Sequence, residues 1–214
     1  MPPPGMFIVA GPPGAGKSTV FSLRDFADRV FNADDRAAEL NGGSYRAIPP
    51  IVRQQVNHEF ETFVRDNIAT DQSFALETTL RSNVTFEQAK LAKSVGFDVF
   101  MSYVALDAFE RHLERVTQRA LRGGHAASET TLRRIYERSL ANLPTALDPG
   151  ESGIDEVQIF DNSAFEQAPK LVLEASYGQV TRLADDFPAW LLTALNWTES
   201  DLQRVRSHLS GYRA

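Results

Sequence analysis

A glycine-rich segment near the start of the chain has the residue types and the spacing of a phosphate-binding loop, or P-loop. Residues 11–18 read GPPGAGKS and match the pattern G-x-x-x-x-G-K-[ST]. The glycines let backbone N–H groups approach a phosphate, the lysine can reach the β and γ phosphates of a nucleotide, and the serine can ligate Mg²⁺. The segment therefore predicts an ATP site made by Gly11, Pro12, Pro13, Gly14, Ala15, Gly16, Lys17, Ser18 and Thr19.

Two aspartates after the second apolar run are candidates for acid–base chemistry. A carboxylate at Asp34 can accept the proton of an attacking hydroxyl group and, with Ser18, help to order Mg²⁺. The alternative is that Asp34 or Asp35 is the N-cap of a short helix. Asp107, at the end of a later apolar run, has two similar interpretations, as a Walker B carboxylate or as an N-cap.

A cluster of polar side chains ends the third predicted strand. Residues 74–81 read FALETTLR, so that Glu77, Thr79 and Arg81 follow a buried-type run. Ligands bind at the carboxyl edge of an open α/β sheet, which makes these three residues candidates for substrate binding. A threonine N-cap beside a solvated arginine is the alternative.

Arginines recur along residues 111–138. Four of them, Arg111, Arg115, Arg119 and Arg122, are spaced by four, four and three positions, directly before Gly-Gly-His at 123–125. This spacing puts the four side chains on one face of a helix. Guanidinium groups on a mobile segment can clamp phosphates, whereas the alternative is a solvated basic face paired to neighbouring glutamates. The segment predicts an arginine-bearing lid.

Alternating strands and helices must position these groups. The predicted strands are residues 6–10, 29–31, 73–76, 97–106 and 157–160, and the predicted helices are residues 18–26, 36–40, 51–68, 86–95, 108–121, 130–143, 188–195 and 201–209. The alternation indicates an α/β fold, with a central parallel five-stranded sheet and helices on both faces. Residues 1–170 would form the main domain, and residues 171–214 a helical extension packed on it.

Composition excludes several other classes of protein. Of 214 residues, 43% are hydrophobic and 23% charged, which fits a globular domain, and the absence of cysteine excludes disulfides, iron–sulfur clusters and a thiol nucleophile. A net charge of -6 offers no general attraction for nucleic acid or an anionic membrane. The four histidines lack metal-ligand spacing and are expected to be structural or on the surface. We expect a cytoplasmic protein without a signal peptide or membrane span.

The chain resembles the zeta toxin-like P-loop kinases over about residues 6–165. The blocks that carry the resemblance are GPPGAGKST, FNADDR, SFALETTLRS, AKSVGFDV, RV..RA...GGH and IFDNS. Members of this family are similar in fold to shikimate and gluconate kinases. Those characterised phosphorylate a hydroxyl group of nucleotide sugars of the UDP-N-acetylglucosamine type.

The resemblance implies a role for several residues of this chain. It implies that Asp34 is the catalytic base, that Lys17 and Ser18 hold ATP and Mg²⁺, that Thr79 contacts substrate and that Arg115 clamps phosphate. A helix glutamate that contacts the nucleotide sugar corresponds to Glu59 or Glu61, and a second lid arginine to Arg119, Arg133 or Arg134.

The resulting hypothesis is an ATP- and Mg²⁺-dependent small-molecule kinase of the zeta toxin type, which transfers phosphate to a nucleotide sugar. A toxin role would imply an antitoxin protein as partner. The alternative is a nucleotide-dependent switch or ATPase module that acts through a protein partner. The acceptor-side cluster of Glu77, Thr79 and Arg81 argues for the kinase.

Overall fold

The computed structural model describes residues 2–122, 127–164 and 166–211. Its strands are β1 (Gly5–Ala10), β2 (Arg29–Phe31), β3 (Phe74–Thr78), β4 (Asp98–Ala105), β5 (Glu156–Asp161), β6 (Lys170–Ser176) and β7 (Gln179–Leu183). Its helices are α1 (Lys17–Val20), α2 (Ala33–Leu40), α3 (Pro50–Ala69), α4 (Val84–Ser94), α5 (Phe109–Leu121), α6 (Glu129–Ala141), α7 (Leu143–Ala146), α8 (Pro149–Ser152), α9 (Ala189–Ala194) and α10 (Glu199–Gly211).

The described strands form one sheet in the order β2-β3-β1-β4-β5-β6-β7. The first five run parallel, as the sequence predicts, whereas β6 and β7 are antiparallel to their neighbours. The prediction of five strands is therefore corrected to seven. Because β1 lies between β3 and β4, the P-loop leaves the sheet beside the ends of both, and the register pairs Val9 with Glu77 and Ala10 with Tyr103.

The interior strands are buried on both faces, which explains their continuous apolar runs. Helices α3 and α4 bury apolar side chains against one face, around Phe74, whose ring contacts those of Phe63 and Phe97. None of the helices in the described ranges combines the length and the apolar character that crossing a bilayer requires.

The segment after the P-loop departs from the predicted helix at 18–26. Helix α1 is a single turn, Phe21 is extended, and a 3-10 turn follows at Leu23–Asp25. Phe21 packs on Phe160 and Phe26, and Phe26 packs on Phe7 of β1. Burial of these rings against the sheet outweighs continuation of a helix through Val20 and Phe21, which are weak helix formers.

The chain after residue 168 contains a β-hairpin that the sequence analysis does not predict. Strands β6 and β7 meet at Tyr177 and Gly178, which have φ angles of 48° and 76°. Two positive φ values are the requirement of a tight hairpin turn. The extension therefore begins with two strands that widen the sheet, and helices α9 and α10 follow where two helices are predicted.

A buried hydroxyl pair ties the central strand to the helix that follows the predicted lid. Tyr103 of β4 and Ser139 of α6 are both fully buried, and their hydroxyl oxygens lie 2.9 Å apart. Burial raises the pKa of Tyr103, so this phenol stays protonated.

We expect Tyr103→Phe and Ser139→Ala each to lower the free energy of unfolding by about 1–3 kcal/mol, because each leaves a buried hydroxyl without its partner. The double variant should lose less free energy of unfolding than the two single variants lose together. Urea unfolding of the four proteins measures the difference. Additive losses would contradict a direct hydrogen bond between the two groups.

Candidate active site

The P-loop turns directly out of β1, and its glycines take backbone conformations that other residues rarely adopt. Gly11, Gly14 and Gly16 have φ angles of 137°, 80° and 92°. A β-carbon at Gly11 would lie 2.0 Å from the carbonyl oxygen of Val104, and one at Gly14 would lie 2.5 Å from that of His112. The loop can follow this path only with glycine at these positions, and its successive N–H groups can surround an anion.

Lys17 and Ser18 share one carboxylate, that of Glu77 on the neighbouring strand β3. The Lys17 Nζ lies 3.5 Å from Glu77 Oε1, and the Ser18 hydroxyl donates to Oε2 at 2.9 Å. Nζ also donates to the carbonyl oxygens of Gly11 and Pro12, at 2.9 and 3.3 Å. A nearly buried ammonium group needs such partners. Glu77, predicted to contact substrate, therefore lies beside the groups expected to hold ATP and Mg²⁺.

Asp34 and Asp35 lie in the first turn of α2, but neither caps the helix. The N-cap is Asn32, whose side-chain oxygen accepts from the N–H groups of Asp34 and Asp35 at 3.0 and 3.3 Å. The capping alternative for the aspartates is therefore wrong, because Asn32 satisfies the orphan donors. The Asp34 side chain is exposed, at the end of a strand two positions away from β1 in the sheet.

Arg115 lies over the P-loop. Its Nη2 donates to the carbonyl oxygen of Asn162 at 2.9 Å, and its Nη1 lies 3.6 Å from where a β-carbon on Gly16 would be. One turn earlier on α5, Arg111 donates to the carbonyl oxygen of Ser163 at 2.8 Å. The predicted face of α5 thus packs on the segment that follows β5, with one guanidinium group at the loop where phosphates would bind.

The end of α5 meets the loop at 41–49, which joins α2 to α3. Arg46 donates to the carbonyl oxygen of Ala120 at 2.7 Å. The Tyr45 hydroxyl donates to Asp35 at 2.8 Å, which raises the pKa of the tyrosine, and the charge of Arg119 opposes that rise. The phenol of Tyr45 therefore contacts the Asp35 carboxylate, and the charges of Asp34 and Arg119 lie close enough to act on it.

The loop after β3 is held in a fixed shape by Leu80. Leu80 is fully buried with a φ angle of 53°, its N–H donates to the Thr78 hydroxyl at 3.2 Å, and its carbonyl oxygen accepts from Asn142 at 2.8 Å. A positive φ at a branched residue is strained, so the surrounding contacts must impose it. Thr79 and Arg81, on either side of this anchor, are accessible to solvent.

Glu59 and Glu61 have different surroundings on α3. Glu59 pairs with Arg36 of α2 at 2.6 Å and accepts from Gln55 at 2.8 Å, and both contacts lower the pKa of Glu59. Residues two positions apart on a helix point about 200° apart. Glu61 accordingly lies exposed, and Glu59 is the one directed to the helix that carries Asp34.

Other predicted lid residues are engaged elsewhere or lie outside the described ranges. The Arg133 guanidinium stacks 4.0 Å from the centre of the Phe109 ring and pairs with Glu129 at 3.2 Å, which holds it between α5 and α6. Arg134 is exposed on α6. The predicted lid sequence Gly-Gly-His at 123–125 is outside the described residues.

Asp107 does not have its predicted capping role. The N-cap of α5 is Ala108, and the carboxylate of Asp107 pairs with Arg111 at 3.1 Å. Glu77, on the strand next to β1, contacts the P-loop serine as a Walker B carboxylate would.

His112 joins the P-loop to the end of β4 through the two nitrogen atoms of its ring. Its Nδ1 lies 2.9 Å from the carbonyl oxygen of Pro13, and its Nε2 accepts from the Leu106 N–H at 3.1 Å. The ring therefore carries its proton on Nδ1 and is neutral. Burial, together with the charges of Lys17 and Arg115, lowers the pKa of His112 to about 4.

Three residues of the site were not predicted. His112 lies on the buried face of α5, at helical spacing from Phe109 and Val116. In the sequence this spacing is that of an ordinary core position, so it gives no indication of a functional role. Asn162 directly follows β5, so the rule that identified Glu77 at a strand end would also have found it. Tyr45 lies in an irregular loop, and nothing in its sequence context indicates its position.

No family model matches the chain. An uncharacterized protein of Haemophilus influenzae is 28% identical over 127 residues, which are 59% of this chain and 88% of that protein.

Solved structures share the fold. A protein of the PezAT chromosomal toxin–antitoxin system of Streptococcus pneumoniae matches with a TM-score of 0.59 and 16% identity over 97% of this chain and 86% of its own. The AvrRxo1-ORF1:AvrRxo1-ORF2 complex with ATP matches with a TM-score of 0.64 and 15% identity, over 99% and 77%. A candidate kinase from Chloroflexus aurantiacus matches with a TM-score of 0.50 and 18% identity, over 64% of this chain and 78% of its own. These likenesses confirm the predicted fold.

We expect stability to fall as pH drops from 6.5 to 4, because the unfolded state then binds a proton at His112 that the folded state excludes. The contribution of this group is about 3 kcal/mol, fully present above pH 6.5. Urea unfolding across this range compares the protein with His112→Gln, which does not titrate there. Equal pH slopes for the two proteins would contradict a neutral, buried His112.

Proposed function

We propose that this protein is an ATP-dependent phosphotransferase that moves the γ-phosphate of ATP to a hydroxyl group of a small molecule. The proposal rests on one observation above all. Lys17 and Ser18 of a complete P-loop share the carboxylate of Glu77, and the Asp34 carboxylate stands at the same edge of the sheet with its capping role filled by Asn32. Phosphoryl transfer needs this combination of a phosphate cradle and an acceptor-side carboxylate.

Each group has a defined task in this proposal. The P-loop N–H groups and Lys17 hold the phosphates, and Arg115 balances the negative charge of the transferring group. Asp34 accepts the proton of the attacking hydroxyl, whose oxygen bonds to the γ-phosphorus as the bond to ADP breaks. Arg119, near Asp35 and Tyr45, faces the acceptor.

The oxygen atoms of Ser18 and Glu77 suit Mg²⁺, which prefers hard oxygen ligands and takes others from nucleotide phosphates. Among the described residues no group of three or more Asp, Glu or His side chains forms a metal site of its own, which fits a metal that arrives with ATP. Bound Mg²⁺ would neutralise phosphate charge. Because Ser18 has Glu77 as partner, we assign the metal-side carboxylate to Glu77 rather than to Asp34.

A nucleotide sugar is the favoured acceptor. The acceptor side combines carboxylates, which can accept hydrogen bonds from sugar hydroxyls, with Arg119, which can pair with a diphosphate. We assign Glu59 rather than Glu61 to this side, together with Thr79 and Arg81, which are accessible at the end of β3. The zeta toxin resemblance points to the same class of acceptor.

A protein partner that blocks the ATP site also belongs to the proposal. The PezAT protein comes from a toxin–antitoxin system and AvrRxo1-ORF1 is seen in complex with AvrRxo1-ORF2. We accordingly propose that this chain is a toxin and that an antitoxin protein binds it.

The test of the reaction is mass spectrometry of ATP incubated with UDP-sugars, simple sugars and other small hydroxyl metabolites. We expect a product heavier by one phosphoryl group, formed by the protein and absent with Lys17→Ala, which cannot hold the γ-phosphate. ADP without any phosphorylated metabolite, across the panel, would instead support the nucleotide-dependent switch.

Asp34→Asn should reduce transfer by about 10²-fold or more, because the amide cannot accept the proton of the acceptor hydroxyl. ATP affinity, measured by isothermal titration calorimetry, should change little. Asp66→Asn is the matched control. Asp66 is exposed near the end of α3, which leads into the start of β3 and so lies away from the carboxyl ends of the parallel strands. Unchanged transfer by Asp34→Asn would remove Asp34 from the mechanism.

A further inference from the structure

The motif Asp-Asn-Ser at 161–163, which the proposed reaction does not use, joins three parts of the site at Asn162. The N–H of Asn162 donates to the carbonyl oxygen of Ala105 at the end of β4. Its side-chain Nδ2 donates to the carbonyl oxygen of Ala15 in the P-loop at 2.8 Å, and its own carbonyl oxygen accepts from Arg115 at 2.9 Å. Donor and acceptor groups of one residue thus bind the P-loop and an arginine of α5.

The contact with Ala15 fixes the direction of an N–H group in the P-loop. The carbonyl of Ala15 and the N–H of Gly16 belong to one planar trans peptide and point in opposite directions. When Asn162 holds the carbonyl, the Gly16 N–H must point to the other side of the loop. Peptide orientation is otherwise weakly restrained here, since Gly16 has a positive φ and only one helical turn follows it.

Close packing at Gly16 shows that the contact is specific. A β-carbon there would lie 2.6 Å from Nδ2 of Asn162 and 3.6 Å from Nη1 of Arg115. The amide and the guanidinium group therefore both lie over the glycine, and a side chain at this position would displace the Asn162 amide.

The C-terminal extension holds this motif in place. The indole N–H of Trp190 in α9 donates to Asp161 Oδ2 at 2.8 Å, and the other oxygen of Asp161 accepts from the Ser163 N–H at 2.8 Å. The Ser163 hydroxyl accepts from the N–H of Asp107, just before α5. Asn162 is therefore flanked on both sides by residues tied to other elements.

We propose that Asn162 is a positioning residue for ATP, which fixes the direction of the Gly16 N–H in the P-loop and holds the segment that binds Arg115 against that loop. Removal of its side-chain amide lets the Ala15 peptide rotate and the arginine shift relative to the loop. The inference rests on the proposed function only in requiring that the P-loop binds ATP.

Isothermal titration of the full chain with ATP tests this role. Asn162→Ala should weaken ATP binding about tenfold, the cost of one lost hydrogen bond at the phosphate site. Gln158→Ala is the matched control, because Gln158 lies on β5, the strand that Asn162 follows, and its amide binds Glu174 instead of the P-loop. This control should bind ATP as the unchanged protein does.

A double-variant cycle separates positioning from general stabilisation. In the Arg115→Ala background, Asn162→Ala should weaken ATP binding by about threefold or less, because the side-chain amide then no longer holds an arginine-bearing segment against the P-loop. Thermal melting is measured in parallel, and Asn162→Asp, which keeps the size but loses the donor, replaces the alanine variant if that one does not fold. A merely structural role would give the same loss in both backgrounds.

The outcomes are distinct from those that test the kinase itself. If the unchanged protein binds no ATP, the proposed function fails. If it binds ATP and Asn162→Ala binds equally well, or if the losses from the two single variants simply add, the positioning role of Asn162 is overturned.

Discussion

The carboxylate of Glu77 lies between the ammonium group of Lys17 and the hydroxyl of Ser18, and this contact joins the P-loop to the sheet. It exists because β3 runs parallel to β1 in a register that pairs Val9 with Glu77. A buried lysine with no anion would carry a large desolvation cost, and Glu77 and two backbone carbonyls offset that cost. The remaining site is arranged around this cluster, with the arginine of α5 on one side and the aspartates of α2 on the other.

Much of the architecture could be predicted from hydrophobic periodicity and from polar residues that directly follow apolar runs. Five parallel strands, the long helix α3 and the arginine helix α5 were predicted within a few residues, because apolar runs and arginine spacing are local signals. The segment at 18–26 was not, since packing of Phe21 on Phe160 is a contact between residues distant in sequence. The hairpin at Tyr177 was missed because Tyr-Gly is not among the dipeptides that indicate a two-residue turn, although both residues take positive φ angles in the structure.

The candidate site was predictable where one motif holds the chemistry and not where distant segments meet. Gly11 to Ser18 and Asp34 could be named from the sequence. Nothing local indicates that Asn162 binds a carbonyl group 147 positions earlier, or that Tyr45 donates to Asp35. Glu59 and Glu61 likewise could not be distinguished in the sequence, because the pairing of Glu59 with Arg36 is a contact between two helices.

The hairpin of β6 and β7 also changes what the molecule presents to other chains. Without it, β5 would be the outer strand, with alternating apolar residues such as Val157 and Ile159 and a row of unpaired backbone groups, which is a template for aggregation. With it, the outer strand of the described sheet is β7, whose exposed residues include Gln179, Thr181 and Arg182. At the other edge β2 is only three residues long. Neither edge strand of the described sheet is therefore well suited to pair with a strand of another chain.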